Sequence, residues 1–336
     1  MTQFIDPANN LVLGLVKNYD FAALQPFLYS LKNSGYSGDV CLIVNNISKM
    51  TLQKLKEFSH QYPQFSFYPY WELPSLKIPY KLQEKQLIYK SIYLHVLLDF
   101  YPINRLHLWG LNTFSKIAAN FKRKNHYEVR ANWAKHYLHL VNSRFFLYYL
   151  YILQSEKKYE KILLTDVRDV VFQDDPFNFK LTAPLNCFYE GDGRTVYDCS
   201  YTSDWIKRSF GRNALSEIGH QKAFCAGTTI GTKEGIINYL EWMMDYILQS
   251  NYQRFGVDQA SHNLILHRNI IPDVRFYDNF QGPILTMNYT SSEKLNFSQD
   301  GFLLNEDASV INVLHQYDRL ADEVKNKLKA YNSALT

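Results

Sequence analysis

The run Ile162-Leu163-Leu164-Thr165-Asp166-Val167-Arg168-Asp169-Val170-Val171-Phe172 limits the fold more than any other part of the chain. Its first half reads as a buried strand. It delivers two carboxylates, three residues apart, and a second apolar run follows. Charge buried beside such a strand is strongly destabilising unless something pairs with it. Two partners are open: Arg168, which lies between the carboxylates, or a divalent cation. Parallel sheets place ligand sites at the carboxyl ends of their strands, where this pair falls. Asp166 and Asp169 therefore form an oxygen-rich candidate site for Mg²⁺ or Mn²⁺, of the kind that holds a diphosphate.

The 336 residues suffice for one large domain or two fused halves. A hydrophobic share of 46% against 20% charged residues excludes a disordered chain. The net charge of +4 is too weak to imply nucleic acid, and none is expected as a partner. Anionic small molecules or an anionic membrane surface stay open. The 26 Tyr and 22 Phe are read first as a tyrosine-rich core and surface, and they are compatible with sugar-stacking surfaces. Cys41, Cys187, Cys199 and Cys225 form no CxxC pair and match no zinc spacing, which points to a reducing compartment. Residues 1–10 lack a basic-plus-apolar leader pattern, and the longest apolar run, 145–153, is about half the length a bilayer span requires. The expectation is a cytoplasmic protein with no membrane span.

Alternation of short apolar runs with amphipathic stretches predicts an α/β fold with a mostly parallel sheet. Strands are expected at 11–16, 40–44 and 65–70. Between them, Asp20 caps a helix whose Leu24, Phe27, Leu28 and Leu31 share a face, and 52–62 forms another. Residues 82–100 read as a long helix. Residues 106–125 place Trp109, Phe114, Ile117, Ala118 and Phe121 on a helical stripe beside Lys116, Lys122, Arg123 and Lys124. That helix either packs on its own core or lies on a membrane surface. A helix at 142–154 carries Arg144 and precedes the carboxylate strand. Further strands are expected at 185–190, 228–231 and 310–314. Further helices fall at 205–210, 214–218, 234–249 and 257–266, and a C-terminal helix at 320–331.

With these elements in order, the chain resembles the GT-A glycosyltransferases, the nucleotide-diphospho-sugar transferase fold. In that family a strand ends in a DxD-type signature whose carboxylates hold a divalent cation. Here the spacing is Asp166-Val167-Arg168-Asp169. Phe224-Cys225-Ala226-Gly227-Thr228 resembles the Asn-Ala-Gly turn of the family-8-like retaining branch, with Cys225 where Asn is usual. Asp258-Gln259 resembles that branch's donor-sugar pair, His315 its late metal-binding histidine, Arg319 its diphosphate-gripping cation, and Arg144 its nucleotide-reaching arginine. The matching pieces run in order from residue 11 to residue 320.

The resemblance implies a Rossmann-like sheet flanked by helices, with residues 11–175 as the nucleotide-sugar half, 176–320 as an acceptor and catalytic half, and 320–336 as a closing helix. It implies Asp166, Asp169 and His315 as ligands of Mn²⁺ or Mg²⁺. Val16, Lys17, Tyr19, Arg144, Thr165, Asp166, Gly227 and Arg319 would line the nucleotide-sugar, and Asp258, Gln259 and Glu190 the reacting sugar. The implied activity is transfer of a hexose, from a UDP-sugar for preference, to a glycan or lipid-linked acceptor with retention. Two alternatives stand beside it. One is an inverting enzyme with Asp258 or Glu190 as base. The other is an inactive carbohydrate-binding module of the same fold. Asp258 could equally cap its helix, and His315 could be a satisfied core histidine. Peripheral membrane contact through 106–125 would place the protein at the cytoplasmic face.

Overall fold

The computed structural model describes residues 9–70, 76–83, 86–92, 101–122, 125–136, 138–252 and 254–335. Its centre is a seven-stranded sheet in the order β10-β8-β9-β6-β1-β2-β3. The strands are β1 (Asn10–Lys17), β2 (Asp39–Asn45), β3 (Phe65–Pro69), β6 (Lys161–Thr165), β8 (Leu185–Tyr189), β9 (Phe224–Thr232) and β10 (Val274–Tyr277). Only β9 runs against its neighbours in this sheet. Strands from both implied halves of the chain thus share one sheet.

Both faces of the sheet are covered, which explains why its strands are apolar at consecutive positions. In β1, Leu11 and Leu13 enter one core cluster while Val12 and Val16 enter the other; in β6, Ile162 and Leu164 oppose Leu163. Helices Leu140–Gln154 and Lys233–Gln249 supply the first cluster. Helix Phe21–Asn33 supplies the second, capped by Asp20, whose Oδ1 accepts from the Ala23 amide at 2.9 Å. Its expected stripe, Leu24, Phe27, Leu28 and Leu31, is fully buried.

A small sheet of β11 (Ile284–Thr286), β12 (Val313–His315) and β7 (Val170–Phe172) leans against the carboxyl edge of the large one. β12 pairs antiparallel with β7 so that His315 lies opposite Val170.

Three expected elements differ. Of the long helix at 82–100, the described part is strand: β4 (Leu76–Gln83) and β5 (Gln86–Ile92) pair antiparallel, and 93–100 lie outside the described residues. Leu76, Ile78, Tyr80 and Leu82 alternate with polar residues or proline, the period of a strand. The basic helix runs Tyr101–Lys122. The C-terminal helix is broken into Asp322–Lys325 and Lys329–Leu335. Between them Leu328 is fully buried in a third apolar cluster and the Lys329 amide donates to the Gly301 carbonyl at 3.1 Å, so tertiary bonds replace helical ones.

Candidate active site

The chain leaves β6 at Thr165 and turns through residues 166–169 into β7. Val167 points inward and is buried, closing over Gly14 of β1, where a Cβ would meet Leu42 Cδ2 at 3.1 Å and Val167 Cγ2 closer still. With Val167 anchored, Asp166 and Asp169 both project towards β12. The three-residue spacing is therefore the mark of a turn about one buried valine. The Gln316 amide then donates to the Asp169 carbonyl at 2.6 Å and fixes His315 beside it. One ligand atom from each of Asp166, Asp169 and His315 lies within 4.8 Å of the others.

β9 supplies the fourth wall. Because it runs against β6, its first residues sit at the same edge as the end of β6, and the Asp166 amide donates to the Gly227 carbonyl at 2.7 Å. The β8–β9 register shifts between Cys187 and Tyr189, which leaves part of β9 without a strand partner. Side chains of helix Val257–His267 replace it. Gln259 accepts from the Ala226 amide at 2.9 Å and donates to the Phe224 carbonyl at 2.6 Å; Asn263 accepts from the Phe224 amide at 2.9 Å. Both ends of the Gln259 amide are engaged by backbone, so its place is to hold the Gly227 turn.

The carboxylates sit in contrasting electrostatic surroundings. Arg144 joins Asp166 (2.5 Å) to Asp258 (2.9 Å). Burial would raise Asp166, but Arg144 and His315 outweigh it and hold the carboxyl well below the usual range. Burial raises Asp169, with Asp166 and Asp318 adding to the rise against His315 and Arg319. Asp258 is raised by burial against the pull of Arg144. Burial would lower His315, yet Cys225, Asp166 and Asp169 carry it well above its ordinary value. Cys225 Sγ lies 3.6 Å from His315 Nδ1, which leaves Nε2 facing Asp166 Oδ2 at 3.6 Å. Nε2 is buried and has no hydrogen-bond partner. A buried polar atom in that condition asks for an explanation. A ring nitrogen between two carboxylates, oriented from behind by a thiol, is a donor set that fits a divalent cation.

The carboxylates open into a cleft of about 680 Å³, with His315 fully buried behind them. Lys17, Tyr19, Arg144, Asp166, Asp169 and Glu190 line it, as do Gly227, Asp258, Gln259 and Arg319. Val16 does not reach it: its side chain is fully buried in the core, because β1 alternates and only Leu15 and Lys17 turn to the cleft. Thr165 is buried behind the cleft, its hydroxyl donating to the Asp166 carbonyl at 2.8 Å. Arg168 pairs with Asp318 at 2.7 Å and with neither carboxylate of the pair it separates. Asp258 is not the cap of its helix; Gly256 holds that position in a left-handed conformation, φ +92°. Arg319 is shared between Asp318 (2.8 Å) and Asp169 (3.6 Å) at the rim. Glu190 is 8% exposed, its pKa raised by burial against Arg194, and its Oε2 has no partner.

Sequence reasoning missed the aromatic side of the cleft. Tyr201, Trp205, Phe255 and Tyr289 line it, with Trp205 and Phe255 edge-to-face at 5.4 Å. Tyr201 and Trp205 lie one turn apart on helix Ser200–Phe210, whereas Phe255 and Tyr289 come from two separate turns, and their one signal in the sequence is the high aromatic content.

No family model matches the chain, and no curated protein does. Among solved structures the chain is similar to the bifunctional glycosyltransferase WbbM in its apo form, at 11% identity and a TM-score of 0.48 over 100% of this chain and 50% of that one. It is similar to an active-site mutant of LgtC, at 11% identity and a TM-score of 0.45 over 96% and 95%. It is also similar to the glycosyltransferase GlyE of Streptococcus pneumoniae, at 10% identity and a TM-score of 0.43 over 97% and 60%. The chain spans about half the length of the WbbM structure.

Proposed function

We propose that the chain is a metal-dependent glycosyltransferase that moves a hexose from a nucleotide-diphosphate sugar to a glycan or lipid-linked acceptor. The observation that carries this reading is the convergence of Asp166, Asp169 and His315 at the carboxyl edge of a mostly parallel sheet, in the wall of a cleft large enough for a sugar nucleotide. Lys17, Arg168 and Arg319 also line that cleft and suit an anionic donor.

Asp166, Asp169 and His315 would hold Mn²⁺ or Mg²⁺, which when bound offsets charge developing on a leaving diphosphate. The chain's own groups divide the remaining work. Arg319 and Arg168 add positive charge at the rim where the diphosphate would lie. Gln259 and Asn263 hold the Gly227 turn, which admits the donor close to backbone. Arg144 fixes the orientation of Asp166 and Asp258 together. A UDP-sugar is the donor the family resemblance implies, and 11–175 and 176–320 would serve donor and acceptor.

Retention is the outcome the family resemblance implies, and it asks for no protein base, with Asp258 held by Arg144 at 2.9 Å. One observation supports inversion instead: Glu190 faces the cleft, its pKa is raised and one carboxylate oxygen is unpartnered, which suits a general base. NMR of the product anomer during early turnover separates the two, and an inverted product lost in Glu190→Gln would overturn retention.

Among the described residues no helix is long and apolar enough to cross a membrane. Helix Tyr101–Lys122 nevertheless leaves Leu106, Trp109, Phe114 and Ile117 exposed, and residues 101–124 contain basic but no acidic side chains. We assign this face to peripheral contact with an anionic bilayer.

The primary test is a melting-temperature panel of UDP, GDP, CDP and ADP with and without Mn²⁺. The expected result is a rise for one nucleotide that requires metal and vanishes in Asp169→Ala. No rise with any nucleotide would leave the carbohydrate-binding module as the better reading.

A further inference from the structure

A second cavity, of about 520 Å³, lies on the far side of the loop that walls the cleft. Glu190 faces the main cleft, whereas the next three residues, Gly191, Asp192 and Gly193, line the second cavity. The loop is pinned from behind. Gly191 has φ +61°, and a Cβ on it would lie 3.0 Å from the Asn288 carbonyl oxygen, so a side chain there would be strained. Asp192 Oδ2 accepts from the Ser291 amide at 3.0 Å. Asn288 and Tyr289 in turn line the main cleft, so the wall between the cavities is a single loop resting on a single segment.

The lining chemistry narrows the ligand. Asp192, Asp278 and Glu306 face Lys222 and Lys294. Lys222 pairs with Asp278 at 2.6 Å, and Lys294 lies 3.4 Å from Asp192. A phosphate would meet three carboxylates and a bare cation would meet two ammonium groups. The other polar groups are amides, among them Gln281, Asn296 and Asn305. Amides offer donors and acceptors side by side, which suits hydroxyl groups that do both. Asn305 supplies an independent sign. It is 7% exposed, its Nδ2 donates to Ser309 Oγ at 3.0 Å, and its Oδ1 has no partner. A buried acceptor without a donor is destabilising, and here it belongs to a residue of the cavity lining.

We propose that this second cavity is a saccharide-binding subsite for a neutral sugar unit of an oligosaccharide. Its place across the Glu190–Gly193 wall makes it the remote subsite of an extended acceptor whose reacting end lies in the main cleft. That last step rests on the transferase reading; the binding of sugar does not.

The test is titration of the protein, without donor or metal, with a size-graded series of neutral gluco-, galacto- and manno-oligosaccharides, followed by NMR saturation transfer and calorimetry. The expected result is binding that appears with chain length and weakens about tenfold, the loss of one or two hydrogen bonds, in Gln281→Ala and in Lys294→Ala. Both side chains are exposed, so folding is preserved, and unchanged melting curves verify it. Asn305→Leu should weaken binding likewise. Gln281→Ala and Lys294→Ala, which lie outside the main cleft, should keep the metal-dependent rise in melting temperature with nucleotide. Sugar binding with no nucleotide binding in the wild type would end the transferase reading and leave the subsite standing. Absence of binding across the series, equal affinity in wild type, Gln281→Ala and Lys294→Ala, or tighter binding of inorganic phosphate than of any sugar in the series would overturn the proposal.

Discussion

Gly227 faces His315 with no room for a side chain: a Cβ on Gly227 would lie 2.5 Å from His315 Nε2 and 2.7 Å from Asp166 Oδ2. The missing methyl group therefore keeps open the space in which the imidazole and the carboxylate meet. Gly227→Ala should force one of them aside. The expected outcome is loss of the Mn²⁺-dependent rise in melting temperature with nucleotide, together with about 1–3 kcal/mol of destabilisation from overpacking. A Gly227→Ala protein with a wild-type metal-dependent shift would show that the cluster does not hold the ion.

Arg144 was expected to reach the nucleotide, and in the structure it links Asp166 to Asp258. Removing a buried cation leaves carboxylates unpaired, which typically destabilises by about 3–5 kcal/mol. The Asp166 side chain is 33% exposed to the cleft, so the low end, about 3 kcal/mol, is expected for Arg144→Met in urea unfolding at neutral pH. Unchanged stability with weakened nucleotide affinity would instead make Arg144 a donor-binding group.

The exposed face of helix Tyr101–Lys122 predicts binding to anionic vesicles. In co-sedimentation, wild-type protein should pellet with phosphatidylserine-containing vesicles and release as salt rises, since the basic residues act through a screened field. The double substitution Trp109→Ser and Phe114→Ser should leave most of the protein in the supernatant. Full recovery of wild-type protein in the supernatant at low salt would refute the membrane contact.

How legible all this was in the sequence differs from element to element. The β6 run announced itself because a strand covered on both faces must be apolar throughout, and because carboxylates at its end need a partner. Helix Phe21–Asn33 was legible from its Asp20 cap and one apolar face. The spacing of Asp166 and Asp169 was visible but its reason was not: the turn is set by Val167 closing over Gly14, a contact between residues distant in the chain. The backbone contacts of Gln259 could not be read from the sequence, since they depend on the β8–β9 register shift. The partner of Arg168 could not be chosen, because Asp318 is remote in sequence. Phe255 and Tyr289 could not be joined to Tyr201 and Trp205 in one wall of the cleft for the same reason.

His262 offers a pH prediction outside the Asp166, Asp169 and His315 group. It is fully buried on helix Val257–His267, where its Nδ1 lies 2.8 Å from the Tyr239 hydroxyl and its Nε2 is unpartnered. Burial, with His267 and Arg144 adding to it, lowers its pKa from 6.5 to about 3. The unfolded chain therefore takes up a proton below pH 6.5 that the folded chain refuses until about pH 3. Stability contributed by the neutral ring is complete above the unfolded value and is lost as pH falls through this window, at up to about 1.4 kcal/mol per pH unit. Urea unfolding at stepped pH should show that slope in the wild type. His262→Gln, which cannot titrate, should show a shallower slope by that amount, and equal slopes would mean that His262 is already protonated in the folded protein.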